Sequence, residues 1–275
     1  MKKLGMFLSL FVLMSAVFTG GNALYAASKS ITITGSTTVL PIAQMAAEAF
    51  MDIHQDISVS VRGGGSGVGI AALIDARADI ADASRSIKTK EIKLAREKGI
   101  DPYANVVARD GIAVVVHPDN PLDSISIEDL KKIYTGEIEN WKDLGGPSKS
   151  IVVISRDYSS GTFEVFKELV LEGAKVIDGA LMLASNKAVS TTVSTTPNSI
   201  GYIGLGYLSE DVKALKVDGV KASEETVKKG EYKLARPLFM YTNGEPKGII
   251  KTFIDFIFSP QGQKIAREVG YVPVK

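Results

Sequence analysis

The chain has 275 residues, of which 45 % are hydrophobic and 23 % charged, a balance that suits two globular domains and excludes a disordered or collagen-like polypeptide. It has no cysteine, which excludes disulfides, thiolate metal ligands and a lipid-modified cysteine anchor. Lys2 and Lys3 are the only charges in the first 27 residues, so the formal charge of +1 becomes −1 without them, and no nucleic-acid partner is expected.

In chain order, Lys2 and Lys3 precede an apolar run over residues 4–18 and a small-residue stretch ending in Ala23, Ala26 and Ala27. That is the pattern of a secretory signal peptide over residues 1–27. Gly20, Gly21 and Asn22 end the run before the ~20 apolar residues that a membrane span needs. A freely diffusing periplasmic protein is expected. From Ile31, short β-rich runs alternate with helical patterns: ITIT, a helix over 39–53, ISVSV, a helix over 68–75, ADIADAS and a helix over 88–98. Alternation of this kind predicts a mostly parallel sheet with helices on its faces. Val39, Ile42, Ala43, Ala46, Ala47 and Phe50 recur at helical spacing and give the first helix an apolar face for the sheet.

The strand GIAVVV runs into HPDNPL, a rigid break that predicts a crossing to a second lobe near 117–121. That lobe has its own cycle: a helix over 127–134, the strand IVVI, a helix after SSGT and the strand SIGYIGL. A lysine-rich stretch over 221–233 precedes ARPLFMYT, the return strand, with the second crossing near 235–237. The expected organisation is α/β, with residues 28–116 and 236–275 in one lobe, 117–235 in the other, and a cleft between them.

Three places combine a strand, a Gly/Ser/Thr turn and a helix: GSTT at 35–38, GGGSG at 63–67 and SSGT at 159–162. Each aims unpaired helix N–H groups and hydroxyls at a strand end, where open α/β sheets bind ligands. Taken alone, each turn reads first as a cap for its own helix, since Ser and Thr are ordinary N-cap residues. The helix after Ser126 has Asp129 three residues on, a capping box that satisfies its amides internally. The first two Gly/Ser/Thr turns meet no acid until Glu48 and Asp75, and the third has only Glu164, so an external anion could take that place. Arg156 lies four residues before Ser160 at the mouth of the third turn, or else pairs at the surface with Asp157. Asp79 and Asp82 end the strand ADIADAS, followed by Ser84 and Arg85, and such acids are solvated, capping, or acceptors for a protonated oxyanion. GGGSGVGI fits neither the dinucleotide fingerprint nor a phosphate-binding loop, which needs a following Lys. The two histidines, His54 and His117, have no metal-site spacing, and no nucleophile elbow is present. No metal or cofactor is expected, and Trp141 reads as packing under a loop.

The blocks GSTTVLP, GGGSGVG, ADIADASR, VVVHPDNP, IYTGEIENWKDLGG, SRDYSSGT, GYIGLGY, PLFMYTNGEP and SPQGQKIAREVGYVP, in this order, resemble the phosphate-binding proteins of ABC transporters over nearly the whole chain after residue 27. The resemblance implies a periplasmic-binding-protein fold of type II, with two lobes, two crossovers and inorganic phosphate dehydrated between them. It also implies a monomer that delivers phosphate to a membrane-embedded permease and catalyses nothing. Carried over by motif, Ser36, Thr37 and Thr38 would donate from the first turn and Ser66 and Gly67 from the second. Arg156, Ser160, Gly161 and Thr162 would close the site from the other lobe. Asp79 best matches the family's proton-accepting aspartate, and Ser84 follows it. Many members carry a second acid where this chain has Tyr158, which makes Asp157 the candidate substitute partner for Arg156. Sulfate or molybdate binding is the nearest rival, disfavoured because Asp79 would face an unprotonated oxygen. A secreted phosphatase is the rival from another class, and no metal cluster or activated nucleophile supports it.

Overall fold

Alternating β-branched residues in KSITITG form β1 (Lys29–Gly35), whose Ile31 and Ile33 are buried. The computed structural model describes residues 29–275, so the signal peptide expected over 1–27 lies outside them. From β1 the chain runs through α1 (Leu40–Ile53), β2 (Ile57–Gly63), α2 (Ser66–Ile74), β3 (Ile80–Ala83), α3 (Thr89–Glu97) and β4 (Pro102–Val116). It continues through β5 (Ser124–Ile125), α4 (Ile127–Thr135), β6 (Val152–Arg156), α5 (Gly161–Leu169), β7 (Leu181–Leu183), α6 (Asn186–Thr195) and β8 (Ser199–Gly204). Last come β9 (Lys213–Ala214), β10 (Lys216–Val217), α7 (Glu224–Lys228), β11 (Ala235–Asn243), α8 (Gly248–Phe258) and α9 (Pro260–Glu268).

Nine strands form one sheet, eight of them in the order β2-β1-β3-β11-β4-β8-β6-β7 and β9 beside β4. Pairing is parallel within β2-β1-β3 and within β8-β6-β7, and antiparallel where β11 and β4 run. The join is β4, which pairs with β11 up to Gly111, opposite Ala235, and with β8 from Ile112, opposite Gly204. The change of partner thus falls ahead of the proline break at 118–121, inside a strand rather than in a loop. That strand begins at Pro102, earlier than GIAVVV suggested, because Asn105, Arg109 and Asp110 interrupt the apolar pattern.

The apolar face read for α1 is buried against the sheet, and Phe50 meets Phe253 and Phe256 of α8 edge-on at 5.2 and 5.7 Å. On the other half, Phe166 stacks on Tyr202 at 3.9 Å. Trp141 is fully buried and donates from Nε1 to Asn198 O at 2.9 Å, a packing role as expected. Ser126 Oγ accepts from Asp129 N at 3.0 Å and donates to its carboxylate, so that helix is capped from within. The threonine-rich α6 had no reading as a helix; Ser185 caps it, accepting from Ala188 N at 3.0 Å.

Candidate functional site

β1, β2 and β3 run one way through the sheet and β6, β7 and β8 the other, so the C-terminal ends of the two sets face each other where β4 changes partner. The N-termini of α1, α2, α5 and α6, which follow β1, β2, β6 and β7, meet there. Thr38 Oγ1 lies 3.1 Å from Thr162 Oγ1, and Ser66 Oγ lies 3.3 Å from Ser84 Oγ. A Cβ on Gly161 would overlap both Ser66 Oγ and Ser84 Oγ, so only glycine permits this approach. No acid occupies the first turn of α1, α2 or α6, and Glu164 on α5 is drawn to Lys88 at 2.7 Å. The positive ends of four helix dipoles therefore converge, three of them with no acid in their own first turn.

The hydroxyl residues expected from sequence, Ser36, Thr37, Thr38, Ser66, Ser84, Ser160 and Thr162, are all buried here. Ser36 Oγ accepts from Thr38 N at 3.1 Å, and Ser36 N donates to Asp82 O at 2.8 Å, which fixes the first turn. Ser160 caps α5 by accepting from Phe163 N at 3.2 Å, leaving its hydroxyl proton and the first-turn amides of Gly161 and Thr162 for another partner. Gly67 differs from expectation: its N–H donates to Ser159 O at 2.9 Å, because the two loops dock directly. Its contribution is shape, with Ser159 Oγ donating to Gly64 O beside it.

Arg156 ends β6, is 1 % exposed, and has burial pushing its pKa down to about 10. Its Nε donates to Leu183 O at 3.0 Å, and its Nη2 to Ala184 O at 2.9 Å and Thr37 Oγ1 at 3.2 Å. Its Nη1 is buried and has no partner in the protein. Asp157 does not take the role of its orienting acid: its carboxylate accepts from Ser159 N, and main-chain carbonyls hold the guanidinium instead. Tyr158, at the family's acidic position, is 69 % exposed and leans edge-on against Phe163.

The acid of the site is Asp82 and not Asp79. Register pairs Asp82 with Gly35 at the strand ends, beside Ser36, whereas Asp79 accepts from Thr32 N at 2.8 Å, about 10 Å back along the strand. Asp82 is 1 % exposed, both carboxyl oxygens lack any partner, and burial raises its pKa well above the ordinary carboxylate range. The folded state therefore holds a proton that the unfolded chain releases. Its stabilising effect is complete below the unfolded value of about 4 and is lost as pH rises through the folded one. Thermal melts of ligand-free protein should show stability declining from pH 5 to 8 in the wild type. Asp82→Asn should flatten that decline, by about 1 to 3 kcal/mol at the alkaline end, and an unchanged slope would count against a buried, partnerless carboxyl.

Three further residues had no reading from sequence. Asn186, fully buried at the start of α6, donates from Nδ2 to Thr37 Oγ1 at 3.1 Å and to Thr38 Oγ1 at 3.0 Å. Arg236 donates to Asp110 Oδ2 from Nε at 3.0 Å and Nη2 at 2.8 Å, and to Thr38 Oγ1 at 3.2 Å. Burial raises the Asp110 carboxyl's pKa, against the pull of Arg236. This ion pair sits where β4 changes partner, and Asp110 also accepts from Leu205 N at 2.9 Å. The Ser-Asn turn before α6 repeats the grammar of the other three turns, a signal that was present; nothing local marks Asp110 or Arg236. Among the described residues, no helix is long and apolar enough to cross a membrane, and no cluster of His, Asp or Glu could hold a metal.

Residues 21–261 match a family model described as a PBP superfamily domain. The phosphate-binding protein PstS of Bacillus subtilis is 39 % identical over 253 residues, covering 90 % of this chain and 82 % of that protein. PstS of Borreliella burgdorferi is 35 % identical, covering 90 % and 91 %. Among solved structures, an assigned phosphate ABC transporter substrate-binding protein of Clostridium perfringens, with bound phosphate, superposes with a TM-score of 0.83. It is 36 % identical, and the match covers 90 % of this chain and all of that one.

Proposed function

Because the chain belongs to the PBP superfamily and to the phosphate-binding proteins within it, we propose that it binds inorganic phosphate where its four helix N-termini meet. It holds the ion for an ABC permease and carries out no chemistry on it. The observation that carries this reading is a complementary pair of buried groups: Arg156 Nη1, a cationic donor, and the Asp82 carboxyl, an acceptor, both without partners in the protein. An anion that also bears a proton satisfies both, and phosphate is such an ion near neutral pH. Titration of stripped protein with phosphate tests it directly, and absence of binding would reject it.

The two halves of the sheet act as lobes, joined at Gly111–Ile112 and at the start of β11. Thr37, Thr38, Ser66 and Asp82 belong to the first, and Arg156, Ser160, Gly161, Thr162 and Asn186 to the second. Closure without an ion leaves Arg156 and Asp82 desolvated and unpaired, which costs several kcal/mol. Phosphate removes that cost, so the ion shifts the equilibrium toward the closed form by its differential affinity. A permease that reads the closed form ignores empty protein. The protein works as a monomer in the periplasm, reached through the signal peptide at residues 1–27.

Small-angle scattering checks the motion. The radius of gyration should fall when phosphate is added to stripped protein, and an unchanged value would argue for a rigid, preformed site.

A further inference from the structure

Contacts between the two halves of the molecule are of two kinds. Some are hydrogen bonds between docked loops: Gly67 N donates to Ser159 O at 2.9 Å, and Ser159 Oγ donates to Gly64 O at 3.1 Å. Elsewhere the halves leave a gap, a cavity of about 810 Å³ lined on one side by Arg85, Lys88, Arg236 and Pro237 and on the other by Glu164 and Glu168 of α5. Packing does not hold the walls of this gap together. An ion pair does, with Lys88 Nζ 2.7 Å from a carboxylate oxygen of Glu164. The two side chains are 34 % and 29 % exposed, so the pair is shielded enough to attract and open enough to feel dissolved salt.

Glu91 prepares Lys88 for this reach. Its carboxylate accepts from Lys88 N at 2.8 Å, which fixes the start of α3, and takes both ends of the Arg85 guanidinium at 2.8 Å. Arg85 is thereby occupied within its own half, as Arg236 is by Asp110, and Lys88 is the cation that spans the gap. One other ion pair joins the halves, Arg267 with Glu224 at 3.3 Å, but α9 and α7, which carry it, bring no residue to the ligand site.

We propose that Lys88 and Glu164 form a latch across the cleft, made only when the lobes are closed, that slows release of phosphate without slowing its capture. This rests on the phosphate reading and concerns its regulation. The pair must break before the lobes part, so its strength enters the release rate. An ion arriving at the open cleft does so before the pair exists.

Release from loaded protein into an excess of phosphate scavenger, followed by stopped flow, tests the latch. Lys88→Ala should release phosphate about three- to fivefold faster, with capture changed by less than about twofold. Release from the wild type should quicken between about 50 and 500 mM salt, and release from the variant should not. Lys88 holds Glu91 through its main-chain N, so the alanine variant keeps the start of α3. In a Glu164→Gln background, which preserves length and removes charge, Lys88→Ala should have no further effect. A role confined to the fold of its own lobe would speed release equally in both backgrounds, and that result, or an unchanged rate, overturns the latch while leaving the phosphate reading in place. A wild type that takes up no phosphate overturns that reading. The latch is then judged by a zero-length carbodiimide cross-link between Lys88 and Glu164, mapped by mass spectrometry, whose presence supports it and whose absence overturns it.

Discussion

Phosphate should bind at least a thousandfold more tightly than sulfate at pH 8, a gap of roughly 4 kcal/mol, and the gap should narrow about tenfold for each unit of acidification. The source is Asp82, whose carboxyl has no partner within the protein. Hydrogen phosphate brings its own proton to that carboxylate. Sulfate brings none, so two acceptors face each other unless Asp82 first takes a proton from solvent. Burial raises the carboxyl's pKa, so this proton uptake becomes easier as the pH falls. Sulfate binding therefore consumes a proton that phosphate binding does not, and lowering the pH favours sulfate alone. Calorimetry with both ions between pH 6 and 8 reads both effects. A sulfate affinity comparable to that for phosphate, or a gap indifferent to pH, would remove Asp82 from the site.

Replacing Arg156 by alanine should weaken phosphate binding by about 2 to 5 kcal/mol, roughly thirtyfold to several thousandfold, as expected when one member of a buried charge pair is lost. Stripped protein should melt at the same temperature or slightly higher. The guanidinium is desolvated at a cost visible in its pKa, lowered to about 10, and its Nη1 recovers nothing from the protein. Arg156→Lys should not restore binding. The guanidinium bonds Leu183 O, Ala184 O and Thr37 Oγ1 and still presents a free nitrogen, whereas one ammonium has only three hydrogens. Calorimetry and differential scanning on the same samples separate the two effects. Normal phosphate affinity in Arg156→Ala would place the ligand elsewhere.

The α/β fold was legible because strand and helix patterns alternate cleanly from Ile31, and the Gly/Ser/Thr turns that end β1, β2 and β6 were visible as turns. What sequence could not supply was register. Asp79 and Asp82 look equivalent at the end of one strand. Only the pairing of Asp82 with Gly35 shows which one lies beside the first turn. Arg236 and Asp110 are 126 residues apart, and their ion pair exists only because β11 lies beside β4. Asn186 was missed for a different reason: its helix is rich in threonine, so its periodicity is weak even though Ser185 is an ordinary cap. Gly67 shows the opposite limit, since a free amide read from a turn can be taken by a neighbouring loop.

The place of β11 has a consequence for how the chain is made. It lies between β3 and β4, so the first half of the sheet lacks an interior strand until residue 243 is available. A chain delivered from its N-terminus, whether by a ribosome or through a narrow channel, cannot complete that sheet in passing. β3 and β4 wait with open edges across more than a hundred residues of intervening chain, and α8, which covers Phe50, arrives later still. Pairing at such sequence separation is slow to form and closes last. The order of synthesis thus keeps the N-terminal half loose enough to be threaded, and locks it only when the last segment has emerged.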